Sequence, residues 1–160
     1  MESGALFSSC GKYRYSLWRG WNPTKPKVTF IGLNPSTATE SIEDPTIRRC
    51  IGYAKRWGYG RLSVVNLFAF RATQPEILLA HPQPIGREND YWIQHMVSES
   101  DLNIVCWGNL GAFLGRDRSV LAMIPKPYCL KLNRSGQPAH PLYLPYSVEP
   151  FPFRESNRAS

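Results

Sequence analysis

At 160 residues and 42% hydrophobic content, the chain is long enough for one domain with a substantial core, expected to span 1–160. No apolar run approaches the roughly 20 residues of a membrane-spanning helix. The start Met1-Glu2-Ser3-Gly4 lacks the basic-then-apolar pattern of a secretory signal, so a cytoplasmic protein is expected. A net charge of +7 and a pI near 9.4 lean toward an anionic partner, although a merely solubilising surface would carry the same charge.

In chain order, residues 11–21 alternate in strand fashion, with Tyr13, Tyr15 and Leu17 on one face and Arg14, Ser16 and Trp18 on the other. A turn at Asn22-Pro23 leads into strand Lys27–Leu33, whose nearly continuous apolar character predicts a central, parallel position. A polar loop runs from Asn34 to Pro45. Asp44-Pro45-Thr46 then reads as a helix start, with Asp44 as N-cap and Pro45 in the first turn; the helix runs to about Trp57, and Gly58 and Gly60 end it.

Strand Arg61–Leu67 precedes a long loop, Phe68 to Gly86, with a short helix at Pro75–Ala80; a loop of that length is commonly functional. Helix Arg87–Ser98, strand Leu102–Trp107, short helical pieces near Leu110–Leu114 and Val120–Ile124, and strand Tyr128–Leu132 complete the pattern. The segment after about 147, rich in Pro, Ser and charge, is expected to fray. Alternating strands and helices predict an α/β fold in three layers, with a mostly parallel central sheet of about four strands.

Two asparagines and a histidine each come after an apolar run: Asn34 after the first central strand, Asn66 at the end of the second, and His140 beyond the last. Ligands of open α/β sheets bind at the carboxyl ends of the strands, so these three side chains are expected to share a cleft. The Asn34 amide can accept from a water while donating elsewhere, which suits positioning a water but not strong-base catalysis; it would serve equally as a turn residue bonded to local backbone. Asn66 can read a base edge or satisfy a loop start. His140 can donate to a developing anion or be an ordinary exposed loop histidine. Asp44, the carboxylate nearest Asn34 in sequence, is a cap and a reserve general base.

Ser36, Thr37, Arg48 and Arg49 lie around a helix N-terminus that favours phosphate. Leu33 would line the base pocket. Phe68 and Phe70 could stack on a base, as could one of Tyr53, Trp57 and Tyr59, although aromatics at helical spacing are usually core. His81, in a proline-rich loop, and His95, on a helix, are read as ordinary. Cys10, Cys50, Cys106 and Cys129 have no metal-type spacing, so neither a metal site nor a cofactor is expected.

The order of these pieces resembles the uracil-DNA glycosylase superfamily. Gly32-Leu33-Asn34-Pro35 is similar to its first motif, Val64-Val65-Asn66-Leu67 to the base-reading strand end, and His140-Pro141-Leu142-Tyr143-Leu144 to its closing motif, with Tyr143 standing where the family has a second proline. A resemblance over more of the chain, from Tyr13 through Asp90, is to the bacterial and phage domain-of-unknown-function 1643 family. It is carried by Tyr13-Arg14-Tyr15, Ile31-Gly32-Leu33-Asn34-Pro35-Ser36-Thr37-Ala38, Asp44-Pro45-Thr46-Ile47-Arg48-Arg49, Val65-Asn66-Leu67-Phe68-Ala69, Arg71-Ala72-Thr73 and Glu88-Asn89-Asp90.

The glycosylase resemblance implies a monofunctional enzyme that flips a nucleotide from DNA and leaves an abasic site. It implies that Asn34 places the water, Asn66 reads the base and His140 stabilises the leaving base. Leu144 would fill the vacated stack with Tyr143 beside it on the DNA. With Asn34 and Ser36 where strictly uracil-specific members carry aspartate and tyrosine, a wider pocket for modified bases is expected, such as hydroxymethylated or glucosylated cytosines of phage DNA, and with it a role in anti-phage defence. Uracil or mismatch repair, nucleoside or nucleotide processing, and non-catalytic nucleic-acid binding are the alternatives.

Overall fold

A computed structural model describes residues 1–154. Seven strands form one sheet in the order β1-β2-β4-β3-β5-β6-β7. They are β1 Glu2–Phe7, β2 Arg14–Gly20, β3 Lys27–Gly32, β4 Arg61–Asn66, β5 Leu102–Val105, β6 Pro127–Cys129 and β7 Phe151–Pro152. The run β4-β3-β5-β6 is parallel, while β1, β2 and β7 pair antiparallel at the two margins. The expectation of about four strands thus describes the parallel centre, the alternation over residues 11–21 is β2, and the outermost strands β1 and β7 were not expected.

The continuous apolar character of β3 reflects burial on both sides. Val28 and Phe30 enter one hydrophobic cluster and Ile31 the other. Helix α1 (Pro45–Arg56) supplies Ile47, Cys50, Ile51, Tyr53 and Ala54 to the first cluster. Helices α2 (Pro75–Ala80), α3 (Asn89–Ser98) and α4 (Arg116–Leu121) supply Leu78, Ile93 and Val120 to the second. Asp44 caps α1 as expected, its Oδ1 accepting from Ile47 N at 2.9 Å. Gly58, at φ 84°, comes after the helix in the left-handed conformation that glycine tolerates.

β2 departs from simple alternation. Leu6 pairs with Ser16 and Phe7 with Arg14, leaving Tyr15 as the extra residue of a β-bulge. A bulge shifts side-chain parity and re-aims the residues on either side of it relative to one another. Arg14 therefore joins Leu17 on the α1 side of the sheet, beside Phe30, Ile47 and Val64, instead of sharing a face with Ser16 and Trp18.

The described part of the segment after 147 makes specific contacts with the rest of the domain. Trp57 Nε1 donates to Val148 O at 3.1 Å, β7 extends the sheet beside β6, and Phe153 is buried. Residues 155–160 lie outside the described residues.

Asn89, wholly buried at the start of α3, ties that helix to the end of β4: its Nδ2 donates to Asn66 O at 2.9 Å and to Leu67 O at 3.0 Å. Replacing it with alanine removes the donor from this buried site, so Asn89→Ala is expected to destabilise the protein by roughly 1–3 kcal/mol, read as a lower urea midpoint with unchanged slope.

Candidate functional site

The chain completes β3, crosses through α1 to β4 on one side, and later returns to β5 on the other side of β3. The strand order therefore reverses around β3, the kind of switch point where open α/β sheets bind ligands. A cavity of about 210 Å³ lies there. Drug-sized pockets run from roughly 300 Å³ upward, so the space suits one small ring system.

Asn34, Asn66 and His140 all line this cavity, together with Leu33, Ser36 and Asp44. The parallel register sets Gly32 opposite Asn66, so the two asparagine-bearing strand ends finish level. A Cβ on residue 32 would stand 2.8 Å from Asn66 Oδ1, so a side chain there would displace the Asn66 amide.

Asn34 Nδ2 donates to Ala72 O at 2.9 Å and Pro35 O at 3.1 Å, with Phe70 O at 3.5 Å. These carbonyls fix the amide's orientation. Its nitrogen staples the long loop, bringing Ala72 to Pro75 to the cavity wall, and Oδ1 is left as the acceptor. Turn stabilisation and water positioning are thus compatible uses of one side chain. Asn66 is only 4% exposed, and its Nδ2 has no hydrogen-bond partner among the described residues. An unpaired buried amide is costly, and such a cost is common where a polar occupant is to be met.

His140 Nδ1 accepts from Leu142 N at 3.2 Å, which leaves Nε2 as the protonated, donating nitrogen of the neutral ring. Although His140 is exposed overall, the protein packed around it removes enough water to hold its pKa below the ordinary histidine value. The charge of Asp44 pulls the other way. The segment's backbone is anchored by Tyr53, whose hydroxyl lies 3.0 Å from both Pro141 O and Leu144 O and shares its one proton between them.

Several expected site residues fall elsewhere. Phe68 is wholly buried in the opposite cluster, tilted against Phe113 at 5.5 Å, and cannot stack on anything in the cavity, because β4 ends at Asn66 and the chain turns to the other face. Phe70 stacks on His81 at 3.8 Å, giving His81 a packing role. Arg48 is exposed on α1 and donates to Glu43 O, while Arg49 lies 4.4 Å over the Tyr146 ring; neither lines the cavity. Thr37 is exposed beside the cavity rather than in its wall. Leu144 is half-buried and packs against the first core cluster. Its neighbour Tyr143 is the projecting residue, 90% exposed with φ 75°.

Arg14 was not expected among the lining residues, and strand alternation gave no sign of it, since only the bulge at Tyr15 brings it there. It is 2% exposed. Cys50 and Cys106 also line the cavity; burial raises both thiol pKa values, that of Cys106 to about 12, so both stand protonated. Among the described residues, no cluster of His, Cys, Asp or Glu could hold a metal ion, and no helix is long and apolar enough to cross a membrane.

A family model described as "Protein of unknown function (DUF1643)" matches residues 14–142. The chain belongs to the DUF1643 family. No curated protein and no solved structure matches it. The DUF1643 match starts at Arg14 and ends at Leu142, so it spans every cavity residue named above.

For this DUF1643 protein, an NMR titration of His140 is expected to give a midpoint below 6.5. Asp44→Asn should move it lower still, because the carboxylate favours the imidazolium. A midpoint unchanged by that substitution would remove Asp44 as its electrostatic partner.

Proposed function

We propose that the protein is a monofunctional DNA glycosylase acting on a flipped-out base, with the three-layer, glycosylase-like arrangement that its short motifs resemble. One observation carries this reading: Asn34, Asn66 and His140, from three separate segments, line one ring-sized cavity at the strand ends. A fold alone specifies no chemistry, but this donor and acceptor set suits N-glycosidic hydrolysis. Helices on both faces of the sheet are consistent with the arrangement.

In the proposed reaction the sugar–base bond breaks with its electron pair leaving on the base, and the sugar gains oxocarbenium character, as in glycoside hydrolysis. A water held by Asn34 Oδ1 adds to the sugar carbon, and its proton passes to Asp44 or to solvent. The Nε2–H of neutral His140 donates to the departing base, and Asn66 reads its edge. No lysine is assigned as a nucleophile, so the product is an intact abasic site. Tyr143 replaces Leu144 as the side chain that fills the vacated stack, being large, exposed and close to His140 in the chain. Ser36 and exposed Arg48 are the phosphate contacts of this reading, and the net charge of +7 supplies general attraction to DNA.

The favoured substrate is a modified pyrimidine such as 5-hydroxymethylcytosine in phage DNA, which makes anti-phage defence the favoured role. A glucosyl group would have to lie in the cavity's mouth, given its volume of about 210 Å³.

Purified protein incubated with duplex oligonucleotides containing uracil or 5-hydroxymethylcytosine, and with modified phage DNA, is expected to leave alkali-labile abasic sites. Asn34→Ala should lower the rate by roughly 10²-fold or more, the scale of removing a positioned catalytic group. Base release from free nucleosides without abasic sites in DNA would favour a nucleoside-processing enzyme. DNA binding with no base release at all would favour a plain binder.

A further inference from the structure

Arg14 is a charged side chain buried in the wall of the cavity with most of its hydrogen-bonding capacity unused. A guanidinium carries five N–H donors. Among the described residues Arg14 makes one side-chain hydrogen bond, from Nη1 to Ala38 O at 3.1 Å, and its buried Nε has no partner. It forms no ion pair with a described residue, although Asp44 lines the same cavity and its charge acts on Arg14 from a distance. Burial lowers the Arg14 pKa to about 10, which still leaves it charged at neutral pH. A β-bulge brings this residue to the α1 face, where simple alternation would have placed it on the other. A buried, under-bonded cation is a poor device for stability and a good one for recognition.

Resting on the glycosylase reading for its ligand class, we infer that Arg14 is the specificity-determining donor of the cavity. It reads a carbonyl acceptor on a single pyrimidine ring. The occupant is neutral rather than a phosphate, because the Asp44 carboxylate shares the cavity and would repel an anion. The ring is a pyrimidine on that reading, and a cavity of about 210 Å³ is large enough to hold one base. Asn66, with its own unpaired buried Nδ2, is the second polar group available to that edge.

The test uses the full chain and free bases. Cytosine and 5-hydroxymethylcytosine are titrated calorimetrically into wild type, Arg14→Met and Arg14→Lys, with inorganic phosphate as a separate ligand, and melting temperatures are recorded for all three proteins. Wild type should bind the bases in the millimolar range or tighter, and phosphate not at all. Arg14→Met should bind at least tenfold more weakly while its melting temperature stays level or rises, because an unpaired buried cation has been removed. A residue with a merely structural role would show the reverse. Arg14→Lys, which keeps the charge but not the fork, should also bind more weakly than wild type, and it decides the matter if Arg14→Met does not fold.

Base binding unaltered in the variants, no base binding by wild type, or phosphate binding in place of the base would each overturn the assignment. Abasic-site formation on the oligonucleotides is scored separately. Base binding that depends on Arg14, without abasic sites, would leave this inference standing and remove the glycosylase reading.

Discussion

The parallel pairing that sets Gly32 opposite Asn66 is the constraint on which the site depends. It finishes two central strands at the same height, so the residues after β3 and at the end of β4 face one space. The absence of a side chain on Gly32 lets that space reach Asn66. β5 joins on the other flank, with Cys106 N donating to Ile31 O at 2.9 Å, and so brings Cys106 into the cavity wall. A slip of one residue between β3 and β4 would exchange the two faces of β4 and carry Asn66 away from α1.

Around that fixed point the connecting segments are tied by side chains to backbone. Asn34 holds the 70–72 stretch, Tyr53 holds the His140 segment, and Asn89 holds the end of β4. Each tie satisfies backbone carbonyls, and the first two bring distant pieces of chain to the cavity rim. The polar groups inside are less well served. Arg14 Nε and Asn66 Nδ2 lack partners among the described residues, as do side-chain atoms of Ser16, Ser63, Asn89, Trp92 and Asn103 away from the cavity. What sets Arg14 and Asn66 apart is that both line the cavity, where an occupant can meet them.

Features governed by local chemistry were legible in the sequence. The start of α1 was legible because Asp44 and Pro45 act within one turn, and α2 because Pro75 opens it. β3 and β4 announced themselves by unbroken apolar character, and their ends located Asn34 and Asn66. β1 escaped because Glu-Ser-Gly-Ala-Leu-Phe has little periodicity and is held as an edge by backbone pairing; β7, of two residues, offered no pattern to read. Which face a residue takes beyond a strand end is decided by tertiary packing, so Phe68 went to the core, Leu144 packs half-buried against it, and Tyr143 went to solvent. The bulge at Tyr15 lay beyond any alternation rule, and with it the position of Arg14.

The central claim is that side chains from three separate segments serve one occupant. Its most direct measurement is an NMR titration of the labelled protein with a duplex carrying a 2′-fluorinated, cleavage-resistant 5-hydroxymethylcytidine, tracking the side-chain amides of Asn34 and Asn66 and the ring of His140. The account predicts that all three signals move together with one apparent affinity, and that Gly32→Ala, which crowds Asn66, weakens that shared response. Shifts confined to exposed arginines and lysines, with these three signals unmoved at saturation, would contradict it.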